Sequence, residues 1–268
     1  MTKTYGRKSH RDITWLHGFL AAVSVMVLLS ASACSPPATP QEKRARLGEK
    51  FDGEVGSDQR FGGLMPTFRA GFPAEYEKLK AREIAAIQAD ASQKQQEDLA
   101  YDFMTDFLLR HTGDAALAPP ASLKAFRERQ LSLTTTLQRS SEQQCADYFI
   151  RGIGKGAKLD AASQDAMGRL TGAIMDAIVA GQQDMTVRSG LTNADRVAMV
   201  KGLERNGFSR DQLKTFGDAK TMATLPAHEQ CALGIGFERG INGLPESLAD
   251  KITVAIIKDS AKEAKHKT

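Results

Sequence analysis

The chain has 268 residues, 41% hydrophobic and 25% charged, enough apolar material for one or two domains with a buried core. Basic residues exceed acidic ones by 36 to 32, but four of the basic and only one of the acidic residues precede Cys34, which leaves 32 against 31 in the remainder. A near-neutral remainder excludes the broad basic footprint that nucleic-acid binding needs, so no nucleic-acid partner is expected.

The first twelve residues carry the cations Lys3, Arg7, Lys8 and Arg11. An apolar run from Ile13 to Leu29 follows, interrupted by Thr14, His17, Gly18 and Ser24, and then the small residues Ser30-Ala31-Ser32-Ala33 lead to Cys34. A cationic start, an apolar middle and a small-residue exit form the layout of a secretory signal, expected over residues 1–33. The stretch Leu29-Ser30-Ala31-Ser32-Ala33-Cys34 resembles the lipobox of bacterial lipoproteins, although that family favours leucine where Ala31 stands. The resemblance covers this segment alone. It implies that Cys34 becomes the first residue after cleavage, carries lipid and holds the chain on a membrane. By the same resemblance, Ser35 after the cysteine implies the outer membrane. Two other readings of the exit stay open: ordinary cleavage after Ala33, and an uncleaved apolar anchor about long enough to span a bilayer.

Cysteine parity bears on that choice. The chain has three cysteines, Cys34, Cys145 and Cys231. An odd count in an exported protein leaves one thiol to explain. With Cys34 acylated, Cys145 and Cys231 are expected to pair as a structural disulfide in an oxidising compartment.

Residues 34–72 have the composition of a tether: a Pro-rich opening, a charged run through Lys50, then a Gly-rich stretch. Phe51, Phe61, Phe68 and Phe72, with Leu64 and Met65, are many large apolar groups for a solvated linker. Either residues 51–72 lie against their own domain, or they dock on an envelope protein partner.

From Pro73 to the end, residues 73–268, the pattern predicts a helical domain. No Gly or Pro occurs from Ala74 to Thr112, and Pro73 suits a first helical position. That region holds two helices or one long one, with Ala100, Met104, Phe107, Leu108 and His111 at helical spacing, ending at Gly113. Pro119-Pro120 opens the next, with Leu123, Phe126, Leu133 and Leu137 as core positions. A shorter helix carries Cys145, Tyr148 and Phe149 and stops near Gly152. Asp160 is the expected N-cap of a helix with Met167, Leu170, Ile174 and Ile178 on one side. Gly168 and Gly172 lie on another side of it, where either a second helix has room to approach closely or the two glycines merely weaken the helix.

Thr192 with Asp195, and Ser209 with Gln212, resemble capping boxes, while Asn206-Gly207 and Gly217 read as helix stops. Pro226 opens a helix that runs to about Gly240, and Pro245 opens the last one, with Leu248, Ile252 and Ile256 inward. Ile252 to Ile257 has strand-like composition, but no strand partner is found elsewhere, so it reads as helix. Gln144-Cys145-Ala146 and Gln230-Cys231-Ala232 form a short internal echo, too brief to establish a duplication.

Chemistry-bearing patterns are sparse. His228, Glu229 and Cys231 share the start of a helix, but a zinc site needs three or four ligands, and only His111 or Cys145 could complete one, so no metal site is assigned. Gly152-Ile153-Gly154-Lys155-Gly156 lacks the Gly-Lys-Ser/Thr ending of a phosphate loop and follows no strand. Beyond the signal, the histidines are His111, His228 and His266. They fit no nucleophile–base set, so no catalytic residue is assigned and no cofactor is expected.

The expectation is therefore an all-α chain: about seven or eight helices in a single bundle, braced by Cys145–Cys231 and hung from a lipid-bearing tether. Two roles follow. One is a non-catalytic envelope lipoprotein that binds a partner or supports an assembly. The other is an envelope hydrolase whose site is assembled from distant residues. A deep polar cleft lined by His111 or His228 would favour the hydrolase; a closed bundle with a shallow apolar groove would favour the binder.

Overall fold

A computed structural model describes residues 39–57, 64–153 and 157–265. The signal, Cys34 and His266 lie outside the described residues. Among the described residues there are twelve helices and no strand. They are α1 (Pro40–Ser57), α2 (Leu64–Gly71), α3 (Pro73–Gln88), α4 (Gln93–Ala115), α5 (Pro120–Ser140) and α6 (Glu142–Arg151). Then follow α7 (Ala161–Gln183), α8 (Asn193–Arg205), α9 (Arg210–Gly217), α10 (Ala219–Thr224), α11 (Ala227–Asn242) and α12 (Glu246–Lys265). The all-α class is as expected. The count of seven or eight is corrected, because three helices lie in stretches that composition did not mark: α1, α2 and α10.

The boundaries follow local chemistry. Pro73 and Pro120 stand first in α3 and α5, where a missing N–H costs no intrahelical bond. Asp160 caps α7 by accepting from Ser163 N at 2.8 Å. Full capping boxes, in which two otherwise unbonded N–H groups are satisfied reciprocally, open α8 (Thr192, Asp195), α9 (Ser209, Gln212) and also α4 (Ser92, Gln95). Asp90 adopts φ 55 between α3 and α4, a conformation that a short polar side chain tolerates, and so the region splits into two helices. Gly113 does not end α4, which runs to Ala115, and α11 continues past Gly240 to Asn242.

The bundle is organised around α7, which packs against α5, α4 and α2. Its buried residues face several directions, from Ala166, Met167 and Leu170 to Met175, Ala177 and Ile178, as a central helix requires. The main core joins α2 to α7 with residues of α11 and α12. A second cluster gathers Ile241, Leu244, Leu248, Ala249 and Ile252 between α11 and α12. A third gathers Leu203, Phe208, Met222 and Leu233 under the small helices α8 to α10.

Gly168 and Gly172 are buried, in keeping with close packing on α7. Gly181 lies near the end of the same helix. A methyl group on Gly181 would lie 1.9 Å from the carbonyl oxygen of Asp114 on α4. A backbone atom cannot yield as a flexible side chain does. Gly181→Ala should therefore destabilise the protein by about 2–3 kcal/mol, read as a lowered urea midpoint with unchanged helical circular dichroism. An unchanged midpoint would refute the contact.

The tether expected over residues 34–72 is corrected for residues 40–57 and 64–71, which are helical. Leu64, Met65 and Phe68 are buried in the main core, and Phe51 and Phe72 pack against it. The Phe68 ring meets Phe107 edge-on at 4.8 Å, and Tyr76 at 6.1 Å. The Asp52 carboxylate accepts from Tyr76 Oη and Lys80 Nζ, both at 2.7 Å, and so fastens α1 to α3. Composition misses this because a Gly-rich sequence has poor intrinsic helicity, whereas short helices in proteins are stabilised by packing of their apolar face. Of the two readings of 51–72, the described residues fit packing on the domain. Phe61 lies outside them.

Candidate functional site

Cys145 in the first turns of α6 and Cys231 in those of α11 are bonded, with Sγ–Sγ 2.01 Å and Cα–Cα 5.3 Å. Both are fully buried. One turn further along each helix, the Phe149 ring lies so close to Gly234 that a methyl group there would be 2.3 Å from two ring carbons. The bond and this absence of a side chain together set how closely α6 and α11 approach. The two Gln-Cys-Ala echoes are thus joined covalently. The surroundings of the two glutamines differ: Gln144 Nε2 donates to Lys158 O, and Gln230 Nε2 to Leu225 O, each at 2.8 Å.

The disulfide removes Cys231 from any metal set. His228 is exposed, with Nε2 3.8 Å from Glu229. His111 Nδ1 lies 2.8 Å from Asp114 Oδ2, which also accepts from Gln182 Nε2 at 2.8 Å. The His111 ring packs 4.7 Å from Phe72 and 4.6 Å from Phe107. Among the described residues, no group of three or more His, Cys, Asp or Glu side chains is placed to hold a metal ion. Gly154, Lys155 and Gly156 of the glycine-rich loop lie outside the described residues. Gly152 adopts φ 75 and ends α6.

A shallow cleft opens between α5, α11 and α12. Phe126, Phe237, Ile241 and Ile256 give it apolar walls, and Arg127, Gln130, Glu238, Asn242 and Thr253 supply its polar groups. Arg127 is buried, and its Nη1 donates to Asp250 Oδ1 at 2.6 Å and to Thr253 Oγ1 at 3.4 Å. Thr253 directs its own proton to Ala249 O at 2.8 Å. Asp250 also faces Arg188, whose Nη2 is 3.7 Å from Oδ2. Arg188 sits in the connection between α7 and α8. Its Nη1 donates to Ala118 O at 2.8 Å, and nearby Thr186 N donates to Leu117 O at 2.8 Å. That connection is thereby held to the start of α5.

Two turns beyond Arg127 on α5, Thr134 faces Glu238 of α11. Burial pushes the Glu238 carboxyl up to about 8, against the opposing pull of Thr134 and Gln130. The acid is therefore mostly protonated at neutral pH. Thr134 Oγ1 lies 2.5 Å from Glu238 Oε2 and 3.1 Å from Leu131 O. One hydroxyl proton cannot serve both. With Glu238 protonated, its O–H donates to Thr134, and Thr134 donates to Leu131 O. Glu238 Oε1 and Arg127 Nε remain buried without a hydrogen-bond partner. Unmatched buried polar atoms are uncommon and costly, and these two lie on residues that line the cleft, which is taken as the candidate site.

None of these residues stands out by motif. The signal that could have found them is a charge set on an apolar helical stripe: Arg127 between Leu123 and Leu137, Glu238 between Ile235 and Ile241, and Asp250 before Val254 and Ile257. Neither His111 nor His228 lines the cleft. Comparison of the chain with family models, curated proteins and solved structures finds no significant match.

Proposed function

We propose that the chain is an envelope lipoprotein, held by lipid on Cys34, whose helical domain binds rather than catalyses. The observation that carries the binding half is the cleft itself. Its walls are Phe126, Phe237, Ile241 and Ile256, and its polar groups are Arg127, Gln130, Glu238, Asn242 and Thr253. Such a lining orients a bound group but holds no nucleophile with an adjacent base. The hydrolase alternative finds no support at the histidines, since His111 is engaged by Asp114 and packed on two phenylalanine rings, and His228 is exposed.

The anchoring half draws on the lipobox resemblance at Leu29 to Cys34 and on cysteine parity, with Cys145 and Cys231 bonded to each other. No helix among the described residues is long and apolar enough to cross a membrane. The binding surface is placed at the cleft rather than in residues 51–72, whose described large apolar side chains pack on the domain. Growing expressing cells with radiolabelled palmitate tests the anchor. Label is expected on the wild type and lost on Cys34→Ala, which should also leave the membrane fraction. No label on the wild type, or equal label on the variant, sinks the anchoring reading.

A further inference from the structure

We infer that the first two turns of α1, with Lys43, Arg44 and Arg46, form a contact surface for acidic phospholipid headgroups, which holds the domain against the membrane that takes the Cys34 lipid. This inference rests on the anchoring half of the proposed function.

Exposure singles out these turns. Every residue from Thr39 to Arg46 is exposed, Leu47 is half-buried, and Gly48 is the first buried residue of α1. The helix is buried against the domain only from there on. Gly48 lies against Lys80, Phe51 packs on the main core, and Asp52 accepts from Tyr76 and Lys80. About two turns therefore project past the domain. Their sequence, Pro-Gln-Glu-Lys-Arg-Ala-Arg, holds no large apolar side chain, so packing does not explain them.

Charge is concentrated on the same turns. Residues 40–46 hold three basic side chains and one acidic one, so the rest of the chain after Cys34 has no basic excess. The one acid, Glu42, is turned back onto Thr39, accepting from its N at 2.7 Å and from its Oγ1 at 3.1 Å. Arg46 lies in the field of Glu42, while Lys43 and Arg44 form no ion pair among the described residues. Cations near a helix N-terminus do not stabilise the helix either. Their charge is open to an anion from outside the chain.

Chain length selects that anion. Six positions separate Cys34 from Pro40, at most about 20 Å of extended backbone. Lipid on Cys34 therefore holds the three cations beside the bilayer. A basic cluster next to an acyl anchor is attracted by acidic headgroups and supplies a second attachment. Lacking apolar side chains, the turns lie on the headgroups and do not insert. Alone the contact is weak and screened by salt, so it does not retain the Cys34→Ala chain on washed membranes.

The test uses residues 34–268 with Cys34→Ala, exported by an ordinary secretory signal, so that no acyl chain contributes and Cys145 and Cys231 can oxidise. Every described helix lies within this chain. Sedimentation with vesicles of phosphatidylcholine, with or without about 30 mol% phosphatidylglycerol, reads the contact. Binding at least about tenfold stronger with phosphatidylglycerol is expected, and about 0.5 M NaCl should abolish the preference. Changing Lys43, Arg44 and Arg46 together to Gln should bring binding to within about twofold of the phosphatidylcholine level. All three are exposed, so this variant should keep the helical circular dichroism of its parent. A second variant removes the same charge elsewhere, by Lys201→Gln, Lys220→Gln and Lys258→Gln, and should keep the preference. Equal binding to both vesicles overturns the proposal, as does a preference that survives in the α1 variant. Equal loss in both variants also overturns it, because net charge and not α1 would then carry the binding. The unacylated chain says nothing of the lipid, and palmitate labelling says nothing of α1, so the two proposals fail separately.

Discussion

Replacing Cys145 and Cys231 together by alanine should lower the stability of the oxidised protein by about 4–5 kcal/mol in the chain-entropy model. The two residues are 86 positions apart, so the bond closes a loop that spans α7 to α10 entirely. An unfolded chain without it gains the freedom of that whole loop. In the native state the loss is small by comparison, because α6 and α11 remain packed through Phe149 and Gly234. Urea denaturation of the double variant against the oxidised wild type reads the difference. Both sulfurs are buried, so the wild-type bond should also resist reduction under native conditions and yield quickly in denaturant. The oxidised wild type, denatured without reductant, should show no titratable thiol at these two positions. A stability loss below about 1 kcal/mol would contradict the loop-closure account.

Glu238→Gln should stabilise the protein at neutral pH, and the gain should vanish in acid. Burial raises the Glu238 carboxyl from 4.5 to about 8 in the folded chain. Between those values the native state holds a proton that the unfolded state has lost, so stability falls as pH rises. The contribution is complete below about 4.5 and exhausted above about 8. Glutamine keeps a polar group beside Thr134 without titrating. At pH 7 the variant should exceed the wild type by about 3 kcal/mol, since the wild type loses about 1.4 kcal/mol for each step of one in pH above 4.5. At pH 4 the two should agree. Glu83, likewise buried and raised to about 7, gives the same sign in both proteins and cancels in the comparison. Denaturation curves at pH 4, 5.5 and 7 test this, and a difference that does not grow with pH would show that Glu238 is not buried as a neutral acid.

Much of the fold is local chemistry written along the chain. Pro73 and Pro120, Asp160, and the pairs Thr192–Asp195 and Ser209–Gln212 act within three or four residues of themselves. Such signals do not need the rest of the molecule, and each stands where its pattern predicted. The inward positions Leu123, Leu133, Leu137, Leu248 and Ile252 follow equally from periodicity, because a helix turns its residues at a fixed interval. Phe68 is legible only in part. Its size argues for burial, but the Gly-rich stretch around it argues for a linker, and only the ring of Phe107 from a later helix decides between them.

The cleft was the least legible part. Arg127 and Asp250 lie 123 residues apart, and Thr134 and Glu238 lie 104 apart. A charge on an apolar stripe shows that some residue must answer it, but not which one. Composition and spacing by themselves determined the helical class and the capped helix starts at Pro73, Pro120, Asp160, Thr192 and Ser209. They also made Cys145 and Cys231 the natural pair, because the lipobox resemblance assigns Cys34 to lipid and leaves two of the three cysteines. Tertiary structure alone decided that α1 and α2 belong to the domain, that Gly181 admits the Asp114 carbonyl, and that two arginines share one aspartate beside an uncharged Glu238. The reason is range. Capping and periodicity act over a few residues along the chain, whereas burial and charge pairing depend on which distant segments meet.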